Sequence, residues 1–229
     1  MADLSGVIDL FFADQDLHQL LEGQILSDRE EPWIFLINAD ACMQKGEREQ
    51  AIELLNKIVV DNNVETRIML WSWAALRRLG VHPNINEADE VRGIVIQVPI
   101  KDGVDVLAAY ADNTARYVNY AGKIIIWDVP DAAIGTIIHK LLESSKIPCS
   151  QIAAPVVKRV TFPSNVLHIT FLTLGGNRAV EIRTDNLDSS PLGNILVIGA
   201  ELLGNLMKRS QSMNQLMQES PSTSSYPRF

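Results

Sequence analysis

Cysteine and histidine, the side chains that most metal sites and many nucleophilic enzymes use, are scarce in this chain. It has two cysteines and four histidines among 229 residues. No histidine has a second histidine or a cysteine three or four residues away, the spacing that ligands on one turn or helix need. Neither a Gly-x-Ser-x-Gly motif nor a P-loop motif occurs. We therefore predict no catalytic residue, no metal site and no cofactor, with a catalytic group assembled across the fold as the alternative.

Basic residues are fewer than acidic ones, and long apolar runs are absent from the sequence. The chain has 20 Lys and Arg against 28 Asp and Glu, a formal net charge of −8. Nucleic-acid binding needs clustered basic residues, so we expect none. The strongest apolar stretches (33–37, 124–127 and 195–203) are far shorter than the ~18 to 20 residues of a membrane span. Acidic residues interrupt the first 16 positions, where a secretory signal would be basic and apolar. We predict a cytoplasmic protein without a membrane partner and without a disulfide between Cys42 and Cys149.

Residues 1–90 carry most of the negative charge and have a helical pattern. This segment holds 7 basic and 17 acidic residues, a balance of −10, whereas residues 91–229 hold 13 and 11, a balance of +2. Apolar residues recur at helical spacing over 33–79, with Gly46 between two helices and Gly80 at the end of a third. We predict an acidic N-terminal helical module over 1–90 that attracts a basic partner surface, with solubility alone as the alternative role of its charge.

Residues 91–209 change to the period-two, β-branched pattern of strands. Strands are expected at 92–100, 104–111, 114–120, 123–128, 156–162, 166–174 and 178–184. Helices are expected from Pro130 to Ser144 and from Asn194 to Lys208. Gly175-Gly176-Asn177 joins two strands, which favours a hairpin turn over an anion-binding loop. The order of strands, hairpin and helix occurs twice, so we predict an antiparallel α+β domain with two covering helices on one face, built as an internal duplication. Residues 210–229 are rich in Ser, which predicts a disordered tail. Cys149 is expected in a loop after Pro148.

One segment of the helical module resembles a tetratricopeptide unit. The run Lys45-Gly46-Glu47-Arg48-Glu49-Gln50-Ala51-Ile52, with Ala39 before it and Leu55 after it, places small residues where two helices approach closely. Cys42 stands where such a unit has an aromatic residue, and no proline closes it. A generic helical hairpin is therefore the alternative. A single unit cannot bury its own apolar face, so it must pack on its neighbours.

A longer part of the chain, about residues 79–207, resembles a family of uncharacterised bacterial α+β proteins. The likeness rests on Leu79-Gly80, on 107–117 with the sequence Leu-Ala-Ala-Tyr-Ala-Asp-Asn-Thr-Ala-Arg-Tyr, on Gly122-Lys123, on Ile126-Trp127 and on Thr170-Phe171-Leu172-Thr173. The resemblance implies a bacterial cytosolic protein, and it transfers no activity, ligand or site residue.

The best candidate for a binding surface is the hairpin around 110–120. Tyrosine and arginine are the residues most often found in binding hot spots, and small alanines surround them here. The candidate residues are Tyr110, Asp112, Arg116, Tyr117, Asn119 and Tyr120. Alternation places Arg116 and Tyr120 on one face of a strand and Tyr117 and Asn119 on the other. The alternative is that Tyr117 or Tyr120 only fills the core, with its hydroxyl satisfied at the rim.

The absence of a catalytic motif, together with a helical hairpin of a type used for binding, favours a non-catalytic role. We predict a protein-protein interaction protein, acting as an adaptor, chaperone-like or immunity-type partner in a bacterial cytosol. The alternative is a small-molecule-binding protein or enzyme with a pocket between the sheet and the helical module, using Asp112, Arg116 and Tyr117. The sequence makes no prediction of the oligomeric state.

Overall fold

The computed structural model describes residues 4–22, 30–101, 103–152, 165–183 and 192–219. The helices are α1 (Ser5–Asp9), α2 (Leu17–Leu21), α3 (Trp33–Lys45), α4 (Arg48–Val59), α5 (Thr66–Arg78), α6 (Ala132–Ser150) and α7 (Gly193–Glu219), and a 3-10 turn (Leu10–Phe12) follows α1. The strands are β1 (Val91–Ile100), β2 (Gly103–Tyr110), β3 (Ala115–Val118), β4 (Ile124–Trp127), β5 (Val166–Thr173) and β6 (Arg178–Arg183). This element order confirms the predicted α+β class.

The N-terminal part contains the predicted helical hairpin, formed by α3 and α4. Gly46 adopts a φ of +77°, a left-handed conformation that glycine accepts readily, and its N–H donates to the Met43 carbonyl at 3.1 Å. Ala39 and Ala51 are completely buried in the two helices. Small side chains therefore occupy the positions expected for close helix packing. The likeness to a tetratricopeptide unit stays a prediction.

The strands form one antiparallel sheet in the order β4-β3-β2-β1-β5-β6. β1 pairs with β2 on one side and with β5 on the other, so the two halves of the predicted β-rich region join along β1. The turn at 174–177 connects β5 to β6, which confirms the hairpin prediction for Gly175-Gly176-Asn177. Every residue of β5 is buried, because both faces of the sheet are covered at this strand.

Helices α6 and α7 cover one face of the sheet, as predicted. Their buried residues, which include Ile134, Ile138, Ile195 and Leu202, share one apolar cluster with that face of the strands. The Asp131 carboxylate caps α6 by accepting the N–H groups of Ala133 and Ile134 at 2.9 and 3.0 Å, and it also pairs with Arg209 of α7. The internal duplication stays a prediction, because the strand expected at 156–162 lies outside the described residues.

The N-terminal helices cover the opposite face. Phe11, Leu36, Ile58 and Trp71 belong to the same apolar cluster as Val95, Val106, Tyr110 and Leu172 of the sheet. The β5–β6 turn is also tied to this side, because Asn177 Nδ2 donates to the Phe12 carbonyl at 2.9 Å and Gly175 N donates to the Ala88 carbonyl at 2.8 Å. One core therefore crosses residue 90, the boundary expected between the two modules.

Two local predictions were wrong. The tail was expected to begin at Ser210, whereas α7 continues to Glu219. Once a helix exists, each added residue gains a hydrogen bond at low cost, and this stretch contains good helix formers and no proline. Cys149 was expected in a loop but is buried in the last turn of α6, with Pro148 inside the helix. Both Cys42 and Cys149 are free thiols. The remaining tail, 220–229, lies outside the described residues.

Candidate functional site

Tyr110 lies at the interface between the sheet and the N-terminal helices. Its side chain is completely buried, and its hydroxyl donates to the Phe11 carbonyl at 2.8 Å. Burial raises the pKa of the Tyr110 phenol far above its ordinary value of 10. The phenol therefore stays protonated and acts as a hydrogen-bond donor that joins β2 to the segment after α1.

Asp112, which follows β2, caps helix α5 from outside the helix. Its Oδ2 accepts the Thr66 N–H at 2.7 Å, and its own N–H donates to Thr66 Oγ1 at 3.1 Å. Its Oδ1 accepts both the N–H and the hydroxyl of Thr114 at 3.0 and 2.7 Å. Both carboxylate oxygens are thus engaged in fixing the β2–β3 turn against α5.

Arg116 is buried on the same face of the sheet as the N-terminal helices. Its Nη1 donates to the carbonyls of Ala115 and Trp127 at 2.9 and 3.0 Å. Its Nη2 lies 3.9 Å from the Glu65 carboxylate, which also pairs with Arg67. Burial, followed by the charge of Arg67, lowers the pKa of Arg116. The guanidinium is used to hold β3, β4 and the start of α5 together.

Tyr117 points to the other face, toward α6 and α7. Its hydroxyl donates to Asp105 Oδ2 at 2.7 Å. Burial, and then the hydrogen bond with the Asp105 carboxylate, raise the pKa of Tyr117 above its ordinary value. Tyr117 fills the core with its hydroxyl satisfied, as the alternative interpretation expected.

Asn119 and Tyr120 form the turn between β3 and β4. Asn119 Oδ1 accepts the Lys123 N–H at 2.7 Å, and the Tyr120 N–H donates to Asp105 Oδ1 at 3.0 Å. Gly122 has a φ of +90°, which this turn requires. Tyr120 is 45% exposed. Of the six candidate residues, Tyr120 is therefore the one that offers a large side chain to solvent.

The six residues do not converge on one surface. Arg116 and Tyr110 face the N-terminal helices, and Tyr117 faces α7 on the opposite side of the sheet. The alternative prediction, a ligand pocket between the sheet and the helical module, requires that Asp112, Arg116 and Tyr117 line the same pocket. Both carboxylate oxygens of Asp112 and the Nη1 atom of Arg116 form hydrogen bonds within the protein, and the sheet separates Tyr117 from these two residues.

An exposed apolar strand at the edge of the sheet was missed by the sequence analysis. β4 is the outermost strand, and none of the described residues pairs with its outer edge. Ile124 and Ile126 are 42% and 61% exposed, while Ile125 and Trp127 between them are buried. The apolar run was visible in the sequence, but its place at the sheet edge depends on the strand order.

Histidines and acidic residues do not assemble into a metal centre within the described ranges. No three His, Cys, Asp or Glu side chains there are placed to hold a metal ion. The His18 ring instead pairs with Asp40, with Nδ1 and Oδ2 3.1 Å apart, and that contact raises the pKa of His18. Across the same ranges, no helix combines the length and apolar character that crossing a bilayer requires.

Comparisons with protein-family models, with curated proteins and with solved structures find no match to this chain.

Proposed function

We propose that the protein binds another protein without catalysis, as an adaptor, chaperone-like or immunity-type partner in a bacterial cytosol, and that β4 is its docking edge. The observation that carries this proposal is the exposure of Ile124 and Ile126 on an edge strand. An edge strand presents unpaired N–H and carbonyl groups, which a strand from a partner can complete.

The two edges of the sheet differ in a way that supports this assignment. Natural edge strands are usually protected by charged residues, proline or bulges. β6, the other outer strand, carries Arg178, Glu181 and Arg183. β4 is short, at four residues, but its sequence Ile-Ile-Ile-Trp contains no charged residue and no proline. This contrast between a charged edge and an apolar edge supports β4 as the edge that pairs with a partner strand.

The side chains around β4 define the partner segment. Ile124 and Ile126 lie opposite Val118 and Arg116 of β3, so both point to the face that carries the N-terminal helices. An added strand with apolar residues at alternate positions would extend this row. Tyr120, in the turn before β4, and Val129, two residues after it, are also exposed.

Charge favours a partner with basic residues. The N-terminal 90 residues have a balance of −10, with 7 basic and 17 acidic side chains, and Asp128 follows β4 directly. Attraction between exposed charges speeds association, and it weakens as the screening length falls from ~10 Å at 0.1 M salt to ~3 Å at 1 M. We expect partner association to slow as salt is raised. Association that is insensitive to salt would contradict this part of the proposal.

The test is affinity capture from the native host with three versions of the full chain. Ile126→Lys places a charge on the docking edge, and Val60→Lys is the matched control, because Val60 is 74% exposed at the end of α4. We expect the same protein to be captured by the parent and by Val60→Lys, and to be lost with Ile126→Lys. Circular dichroism melting checks that both variants remain folded. Equal capture by all three versions would refute β4 as the docking edge.

A further inference from the structure

An apolar cavity lies on the face of the sheet away from the N-terminal helices. It has a volume of about 230 Å³ and is bounded below by Ile96, Leu107, Tyr117 and Leu167 and above by Ala200 and Leu203 of α7. The cavity is therefore separated from the β4 docking edge, whose exposed residues Ile124 and Ile126 point to the opposite face of the sheet.

Beside the cavity, α7 contacts the sheet through Gly199, a residue without a side chain. A Cβ on Gly199 would lie 2.8 Å from Ile96 Cδ1, so a larger residue at this position would force the end of the Ile96 side chain to move. The neighbouring Ala200 carries a single methyl group and does not fill the space beside this contact. Helix and sheet thus approach closely at one point and leave an open apolar volume next to it.

The lining determines what the cavity can hold. Its two polar side chains are Asp105 and Tyr117, and the Tyr117 hydroxyl already donates to Asp105 Oδ2 at 2.7 Å. The other carboxylate oxygen accepts the Tyr120 N–H at 3.0 Å. The interior therefore offers hydrocarbon contact, and a polar group on a ligand has to stay at the mouth, where Val98 and Ala200 are exposed.

We propose that this cavity binds the alkyl chain of a small amphipathic molecule with an uncharged or cationic head group. An apolar cavity of about 150 Å³ accepts benzene, so this one has room for roughly eight carbon atoms. The ligand that fits this volume is therefore a medium-chain molecule. The half-buried Asp105 carboxylate in the lining repels an anionic head group.

The probes are 1-octanol, octylamine and octanoate, titrated into the full chain and followed by methyl NMR of isoleucine and leucine side chains. We expect saturable shifts at Ile96 and Leu167 with octanol and octylamine, and an affinity for octanoate at least several-fold lower. Absence of saturable shifts at these methyl groups would overturn the site. Equal affinity for octanoate would overturn the assignment of the head group.

Three substitutions on α7 distinguish binding in the cavity from non-specific binding. Ala200→Phe projects a ring into the cavity and should weaken octanol binding at least tenfold. Val197→Phe is the control, because Val197 is 68% exposed and does not line the cavity. Ala200→Leu is a smaller filling variant that serves if the phenylalanine variant does not fold. Equal binding by the filling and control variants would refute the proposal, and Ile126→Lys should leave octanol binding unchanged.

Discussion

Replacing Tyr110 with phenylalanine tests whether the N-terminal helices and the sheet fold as one unit. The substitution keeps the buried ring and removes only the hydroxyl that donates to the Phe11 carbonyl at 2.8 Å. A buried acceptor that loses its donor costs about 1 to 3 kcal/mol. Because the ring remains, the cost of an added cavity is small, and the loss reports the hydrogen bond across the interface.

The assay is equilibrium unfolding in urea, followed by both tryptophan fluorescence and circular dichroism. With a slope of roughly 2 kcal/mol per M, the expected loss moves the midpoint down by about 0.5 to 1.5 M without a change of slope. Tyr120→Phe is the control, because Tyr120 is 45% exposed at the β3–β4 turn, and we expect its midpoint to equal that of the parent within error. The two probes should give coincident transitions. A shift no larger than that of the control, or separate transitions for the two probes, would refute a shared core.

Three further predictions follow from buried or paired groups. Ala51→Glu should lower the free energy of unfolding by about 3 kcal/mol or more, because Ala51 is completely buried and a charge there would have no partner. Urea unfolding measures this loss. A variant as stable as the parent would place Ala51 at the surface. Asp112→Ala should cost about 1 to 2 kcal/mol by removing the cap of α5, and Asp112→Asn should recover part of that loss; urea unfolding measures both, and an alanine variant as stable as the parent would show that the cap is unimportant. Asp40 raises the pKa of His18, so the contribution of this pair to stability is full below the ordinary value of 6.5 and is lost as the pH rises through the raised pKa. His18→Gln should therefore have a lower melting temperature than the parent at acidic pH and the same melting temperature at alkaline pH. A difference in melting temperature that does not change with pH would contradict the pairing.

Local features of this fold could be predicted from the sequence because they depend on neighbouring residues. Gly46 and Gly80 end helices through their left-handed conformations, and Gly175-Gly176-Asn177 forms a hairpin turn. The alternation along β3 was also correct, with Tyr117 and Arg116 on opposite faces. Each of these features follows from backbone conformation or from the period of a strand.

Features that depend on long-range packing could not be predicted. The six candidate residues are adjacent in sequence, but Tyr110 and Arg116 are covered by helices that precede the sheet by tens of residues, and no periodicity shows which face those helices cover. The edge position of β4 depends on β1 pairing with β5, and the cavity depends on where Gly199 meets Ile96. The sequence therefore predicted the alternation of residues within the 110–120 hairpin, but it could not show which of them reach the surface.

The most direct test of the proposed docking edge is amide hydrogen exchange of the protein with and without its captured partner. If a partner strand adds to β4, the N–H groups on its outer edge gain hydrogen bonds, and exchange in a peptide covering 120–129 should slow markedly. A peptide covering β6 serves as the internal reference, and its exchange should not change. Protection confined to other parts of the chain, with β4 exchanging as fast in the complex as alone, would contradict the account.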